Sequence, residues 1–420
     1  MSVETARGLK CRLCGKHYPK AALNFCTEDF GPLEVTYDYE EVARTMTRTA
    51  IAERPRSMWR YRELLPIDGE PTVGRHVGCT PLVRADRLAR ALGVSELYIK
   101  NDAVNYPTLS FKDRVVAVAL SKAVELGFQT VGCASTGNLA NSVAAIAAAA
   151  GLDAYVLIPD GLEQGKVLGA TIYGAKVIAI EGNYDQVNRL CSQIAFRFGW
   201  GFVNVNLRPF YSEGSKTLAF EIVEQLGWRA PDHIVVPVAA GSLLAKTAKA
   251  FQELIGAGLV TEAPTRIHAA QAQGCAPVST AVQRGADAIT PVRPNSIAKS
   301  LAIGNPADGR YAARAVRASG GWATACREDA VLDGMALLAE TEGILSEPAG
   351  GVVVAGLQEL VAQGRIRRDE TVVICITGSG LKTTELFGVR DGHRLQLGKA
   401  RASDFVRALA EVENAPAGVV

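Results

Sequence analysis

The sequence predicts an α/β protein with two doubly wound, mainly parallel sheets, helices on both faces of each, and a ligand in the cleft between them. Three observations carry that expectation. From about residue 60 to 390, short apolar runs without polar alternation recur between helical patterns, as strands buried on both faces do. The runs are numerous enough to favour two sheets. Several of them end in short, polar, glycine-bearing loops that lead into helices, where parallel sheets bind ligands.

Taken in order, residues 1 to 60 read as an accessory segment, with a cysteine knuckle, the acidic stretch "EVTYDYEEV" and an amphipathic helix ending before "RPRSMWRYRELLP". The strand "ELYIKND" follows, then a helix over 112–127, the strand "TVGCAS", a helix over 137–150 and the strand "AYVLIP". A helix over 164–173, the strand "AKVIAI", a helix over 184–198 and the strand "FVNVN" repeat the rhythm. A helix over 215–227, "HIVVPV", "RIHAAQA" and "TVVICIT" complete it, and residues 401–420 form a tail expected to fray at "ENAPAGVV".

The 420 residues are 48% hydrophobic and 21% charged, with a net charge of +2, so a soluble globular chain is expected and neither nucleic acid nor an anionic membrane is a natural partner. The stretch "VAAIAAAAGLDAYVLIP" is broken by Asp153 and reads as a buried helix and strand. No apolar signal core follows Met1, which points to the cytoplasm. Of nine cysteines, Cys79, Cys133, Cys191, Cys275, Cys326 and Cys375 are scattered singly like reduced core residues. Cys11 and Cys14 form a C-x-x-C, and Cys26 follows. A zinc knuckle needs a fourth ligand, and the residue three beyond Cys26 is Asp29, an unusual donor. The expectation is therefore no metal, with the knuckle held by Leu23, Phe25 and Phe30.

The stretch "TLSFKDRVV" places Lys112 at the start of an apolar helix, with Thr108 or Ser110 as its N-cap. Alone, that lysine reads as a solvated charge. The loop "CASTGNLANS" offers Ser135, Thr136, Gly137 and Asn138 at a helix entry, where hydroxyls, an amide and free N–H groups suit an anion. It is neither a dinucleotide fingerprint nor a Walker loop. "PVAAGSLLAK" offers Ala239, Ala240, Gly241, Ser242 and Leu243 as a phosphate cradle, and "CITGSGLKT" offers Thr377 and Ser379. Together with Lys112 they suit Schiff-base chemistry on pyridoxal 5'-phosphate, in which a lysine withdrawn from water condenses with an aldehyde and a hydroxyl faces the pyridine nitrogen.

Over about residues 60 to 390 the chain resembles the threonine synthases, members of the tryptophan synthase β-like group (fold type II) of pyridoxal phosphate enzymes. The strings that carry the resemblance are "GCTPLVRADRL", "LYIKNDAVNYPTLSFKDR", "CASTGNLANS", "NLRPFYSEGSKT", "IAKSLAIGNPADG", "ETEGILSEPAG" and "ITGSGLKT". It implies that Lys112 binds the cofactor and moves protons, that Asn138 meets its phenolic oxygen, that Ala239 to Leu243 hold its phosphate and that Thr377 contacts the ring nitrogen. It implies a lyase that turns O-phospho-L-homoserine and water into L-threonine and phosphate, as a cytoplasmic homodimer. The expected division is a cofactor-binding domain over 61–107 and 215–400 and a smaller substrate-side domain over 108–214.

Two departures stand out. An arginine two places before the glutamate of the "EG" pair meets the substrate's phosphate in the better-known branch, but Tyr211 stands there in this chain. Arg208 is the expected replacement, with Lys216 as the competing cation. The fourth cysteine of some relatives' zinc knuckle is also absent. The rival readings are a cysteate synthase or serine/threonine dehydratase, distinguished by product, and a non-catalytic regulatory homologue, distinguished by a cofactor spectrum that ignores substrate.

Overall fold

The computed structural model describes residues 4–135, 137–160, 164–181, 184–386 and 401–413. The chain forms two compact units, Met1–Ser379 and Gly380–Val420. The second carries the helix Ala402–Glu413, so most of the expected tail is helical; "ENAPAGVV" lies outside the described residues apart from Glu413.

Among the described residues, the first unit contains three sheets. Strands β1 (Ala6–Cys11), β2 (His17–Tyr18) and β3 (Leu33–Tyr37) form a small antiparallel sheet in order β2-β1-β3. Strand β3 arises within "EVTYDYEEV", where Leu33, Val35 and Tyr37 alternate inward as period-two patterning requires. The larger sheet consists of β4 (Leu82–Arg84), β5 (Glu96–Asn101), β10 (His233–Pro237), β11 (Arg266–Ala272), β12 (Ala323–Cys326) and β13 (Thr371–Ile376). Its order is β12-β11-β10-β13-β5-β4, parallel except for the β4–β5 edge pair. The smaller parallel sheet has the order β8-β7-β6-β9, from β6 (Thr130–Ala134), β7 (Asp153–Pro159), β8 (Lys176–Ile180) and β9 (Gly201–Phe202).

Both wound sheets are covered on both faces, as the unbroken apolar runs require. In β10, Ile234 and Val236 enter one core while Val235 enters another; in β13, Val373 and Cys375 part likewise from Val372, Ile374 and Ile376. In β7, Val156 and Ile158 face one core and Leu157 the opposite one.

The expected strand "FVNVN" is shorter than its pattern: β9 ends at Phe202. Asn204 and Asn206 explain the stop, because their side chains take over backbone partners. Asn206 Oδ1 accepts the Phe202 N–H at 2.7 Å, and Asn204 Oδ1 accepts the Ala134 N–H at 3.2 Å.

Candidate active site

Leaving β5, the chain turns through residues 102–111 and enters the helix Lys112–Glu125. That turn is pinned to the end of β13. The Phe111 N–H donates to the Thr377 carbonyl at 2.9 Å, and the Ser379 N–H donates to the Leu109 carbonyl at 3.1 Å. The expected N-cap is corrected: Phe111 occupies that position and makes no side-chain cap. Ser110 Oγ instead accepts the Lys112 N–H at 3.2 Å, while Asp113 reaches back to the Thr108 N–H (2.9 Å) and hydroxyl (2.7 Å).

Lys112 is half-buried, not sealed from water, because it sits in the first turn ahead of the buried stretch Val115–Leu120. Its Nζ donates to the Tyr211 hydroxyl at 3.2 Å. Tyr211, the residue that displaces the resemblance's arginine, is thus brought to the lysine itself.

The next basic residue, Arg114, is one that the sequence reading passed over. It is fully buried and donates to Asp102 at 2.7 and 2.9 Å, to Glu221 at 2.8 Å and to Thr80 at 3.0 Å. Lys100 adds a second cation 2.6 Å from Glu221. Burial opposes the charge on Glu221, but Arg114 and Lys100 overcome it and hold the carboxyl at a pKa of about 2. The signal was available: Lys100 in "LYIKND" and Glu221 in "LAFEIV" are charges inside apolar runs, which require partners when buried.

The smaller sheet supplies Ser135 and Asn138 from the loop after β6, where Ser135 Oγ accepts the Gly137 N–H at 3.3 Å. Thr136 lies outside the described residues. Asn138 begins the helix Asn138–Ala150, and its Nδ2 donates to Glu347 at 2.8 Å. Glu347, also unforeseen, directs its backbone N–H to the Gly378 carbonyl at 3.0 Å. A Cβ at Gly378 would stand 2.3 Å from Glu347 Oε1, so a side chain there would displace that carboxylate. Lys112, Thr377 and Asn138 are therefore joined through short hydrogen-bonded links at the strand ends.

Strand β10 lies beside β13, so the loop after it opens at the same end of the sheet as Thr377. Gly241 takes φ +91° at the N-cap of the helix Ser242–Gly256. Its missing Cβ would lie 2.8 Å from the backbone of Asp308, whose N–H donates to the Ala240 carbonyl at 2.8 Å. The N–H groups of Gly241, Ser242 and Leu243 make no backbone hydrogen bond among the described residues. A small-residue loop with free N–H groups at the positive end of a fifteen-residue helix fits a phosphate, and with Lys112 it fits pyridoxal phosphate.

The two candidate cations for the substrate separate clearly. Arg208 opens the helix Arg208–Glu213 and donates to Asp308 at 2.8 Å with its side chain 30% exposed. It lines a shallow open cleft together with Arg12, Glu34, Ser242, Lys246 and Asp308. Lys112 is not among the cleft's lining residues. Lys216 neither faces solvent nor reaches that cleft. It is fully buried, 2.6 Å from Glu213 and 2.9 Å from Glu253, and its charge is consumed there.

Residues 73–378 match the model of the pyridoxal-phosphate dependent enzyme family. The chain is 40% identical to the threonine synthase of Methanocaldococcus jannaschii over 376 residues, 89% of this chain and 92% of that protein. It is 41% identical to the threonine synthase of Methanosarcina acetivorans over 381 residues, with the same shares. It is 38% identical to that of Halalkalibacterium halodurans over 338 residues, 78% of this chain and 90% of the relative. Among solved structures, serine racemase from maize superimposes with a TM-score of 0.63 at 22% identity, covering 74% of this chain and 91% of its own. The processed form of threonine deaminase isoform 2 from Solanum lycopersicum gives 0.64 at 20% identity, covering 84% and 95%. These structures show a shared fold; the sequence matches go further, and by them the chain belongs to the pyridoxal-phosphate-dependent enzymes and, among these, to the threonine synthase family.

Proposed function

We propose that this pyridoxal-phosphate-dependent lyase converts O-phospho-L-homoserine and water into L-threonine and inorganic phosphate. The observation that carries the reading is Lys112, half-buried with Nζ 3.2 Å from the Tyr211 hydroxyl, tied through Phe111 to Thr377 at the strand ends. Relatives named threonine synthase support the choice of substrate.

Bound pyridoxal phosphate supplies an electron-withdrawing ring that makes the substrate's Cα and Cβ protons acidic. The N–H groups of Ala239 to Leu243 hold its phosphate, Thr377 meets the ring nitrogen and Asn138 orients the phenolic oxygen. Ser135 and Thr136 receive the substrate's carboxylate, and Arg208 receives its phosphate. Lys216 drops out of that role because Glu213 and Glu253 already neutralise it. The Lys112 amine takes the proton from Cα and then from Cβ, phosphate leaves from Cγ, Cγ regains a proton to become the methyl group, water gives its hydroxyl to Cβ and its proton to a base, and a proton returns to Cα. The Tyr211 hydroxyl holds Nζ in place between these transfers.

The reading extends to two domains, 61–107 with 215–400 and 108–214. In its support, the strands of the smaller sheet all fall between 130 and 202, and those of the larger between 82–101 and 233–376. It extends also to a cytoplasmic homodimer, to be checked by light scattering and cell fractionation. The decisive assay is phosphate release from O-phospho-L-homoserine by protein with bound cofactor. Release that disappears in Lys112→Ala, together with the near-visible band of the lysine-bound cofactor, is the expected result. No release from the wild type would sink the assignment. Pyruvate from serine or 2-oxobutyrate from threonine as the main product would make it a dehydratase, and a spectrum indifferent to substrate would make it a non-catalytic homologue.

A further inference from the structure

The accessory segment contains a second constellation of reactive groups, outside the catalytic loops. Cys11 ends β1 and Cys14 lies in the turn to β2, whereas Cys26 and Asp29 lie in the turn before β3. The β1–β3 register pairs Cys11 with Leu33, which brings the two turns together at one end of the small sheet. One ligand atom from each of the four residues lies within 4.8 Å of every other.

The spacing is that of a coordination shell. A tetrahedral zinc ion with Zn–S of about 2.3 Å and Zn–O of about 2.0 Å sets S···S edges near ~3.8 Å and S···O edges near ~3.5 Å. Cys14 Sγ and Cys26 Sγ stand 3.6 Å apart, and Cys11 Sγ stands 3.3 and 3.5 Å from the two Asp29 oxygens. The surrounding backbone is built for thiolates. The Leu13 N–H donates to Cys11 Sγ at 3.3 Å, and the Glu28 N–H donates to Cys26 Sγ at 3.4 Å, each from the residue two places on. The two turns are matched in form: Gly15 has φ +79° after Cys14, and Phe30 has φ +57° after Asp29. Asp29 Oδ1 is fixed by the Gly31 N–H at 2.8 Å, and a Cβ on Gly31 would stand 2.8 Å from Cys11 Sγ and 2.9 Å from that oxygen. Aspartate thus occupies the fourth corner of a paired-turn knuckle and is held there by its own loop.

We propose that Cys11, Cys14, Cys26 and Asp29 are the four ligands of a structural zinc ion that clamps the accessory sheet and fixes Arg12 against the body of the enzyme. This replaces the expectation of a metal-free knuckle held by packing, for which Phe30 is a poor support at 72% exposure. Three soft sulfurs favour zinc over magnesium or calcium, and four protein ligands leave no open position for chemistry at the ion. The turns that hold the four residues gain most from such a staple, since β2 is only two residues long. The clamp also determines where Arg12 points, because it lies between two ligands. Its guanidinium lies 3.4 Å over the Tyr311 ring and 3.8 Å from Asp308, the residue that also holds Arg208 and bonds the Ala240 carbonyl.

The test is elemental analysis and native mass spectrometry of the full-length protein, purified with its cofactor and without chelator. Close to one zinc per chain is expected. Asp29→Ala and Cys26→Ser should lose it, Asp29→Cys should retain it, and Arg12→Ala should retain it while the cleft loses one of its three cations. Cobalt substitution should give the intense visible bands of a tetrahedral thiolate site. Chelation should lower the Tm of the wild type by about 5–10 °C and leave that of Cys26→Ser unmoved. Wild-type protein with three free thiols and no metal, even after exposure to zinc, would overturn the proposal, as would a disulfide between Cys14 and Cys26. Neither measurement depends on the variants folding or on the catalytic assignment.

Discussion

Tyr211 is the residue at which this chain departs most informatively from the pattern that its motifs suggest. Its hydroxyl is 3.2 Å from Lys112 Nζ, so the position where the resemblance implies a phosphate-binding arginine contacts the lysine that we propose moves protons. Tyr211→Phe is expected to keep the bound-cofactor spectrum, reduce kcat by ~10-fold, about the worth of one hydrogen bond, and shift the pH–rate profile. An unchanged profile with unchanged kcat would remove the tyrosine from the mechanism. The substrate's phosphate then needs another cation, and a bidentate arginine is among the strongest partners for it. Arg208→Ala should leave the cofactor bound and lower kcat/KM by ~10², about the ~2–4 kcal/mol lost with a charged phosphate contact. Arg208 is held by Asp308, so its swing toward substrate has to break that pair. Asp308→Asn should therefore lower KM or leave it unchanged, and a large rise in KM would contradict this view.

Among the elements, the turn from β10 into the helix Ser242–Gly256 is one that a single methyl group disturbs at the site itself. Gly241 is constrained twice, by φ +91° and by the Asp308 backbone 2.8 Å from where a Cβ would be. Gly93 provides the comparison, since it has φ +76° with nothing within 4 Å. Gly93→Ala bears only the backbone strain, about 1 kcal/mol. Gly241→Ala bears strain and collision together, about 1–3 kcal/mol, and is expected to weaken cofactor binding by ~10-fold or more because the displaced N–H groups are those offered to the phosphate. Cofactor titration of the two variants by absorbance separates the effects. Equal affinities in both would mean that the loop does not hold the phosphate.

Across the whole molecule, the fold depends on charges enclosed within it. Glu221 stays ionised in the folded chain down to about pH 2, against an ordinary value of 4.5. Its folded pKa is depressed, so its contribution to stability is complete above about pH 4.5 and is lost as pH falls through about 2. His268 behaves alike at higher pH. Burial, with His233 and Arg266 beside it, lowers its pKa from 6.5 to about 3, so stability is lost as pH falls from 6.5 toward 3. Thermal unfolding should show Tm declining in two stages on acidification, with Glu221→Gln flattening the lower one. Glu221→Gln should also cost ~3–5 kcal/mol at neutral pH, because it leaves Arg114 and Lys100 buried with one carboxylate fewer. A neutral-pH Tm equal to that of the wild type would show that Asp102 alone suffices.

The alternation of apolar runs and helical patterns was enough to predict parallel sheets covered on both faces, because a strand buried on two sides has no room for polar alternation. The loops after β6, β10 and β13 were legible as candidates for a related reason: small residues and hydroxyls at a strand end leave room for backbone to approach a ligand. The lysine at the head of its helix was legible as well. Pattern could not show what each side chain would meet across the fold. The pairing of Asn138 with Glu347, of Lys112 with Tyr211, and of Lys216 with Glu213 and Glu253 joins residues whose partners are set by how helices and sheets pack. Strand β9 stopped at Phe202 because two asparagine side chains found backbone partners that a run of apolar letters does not reveal. The knuckle shows the division most plainly: spacing named Cys11, Cys14, Cys26 and Asp29, but only the register of β1 against β3 brought one ligand atom of each within 4.8 Å of the rest. Local composition fixes what a segment is able to become, whereas charges and ligands act through distances of a few ångströms, which belong to the folded chain alone.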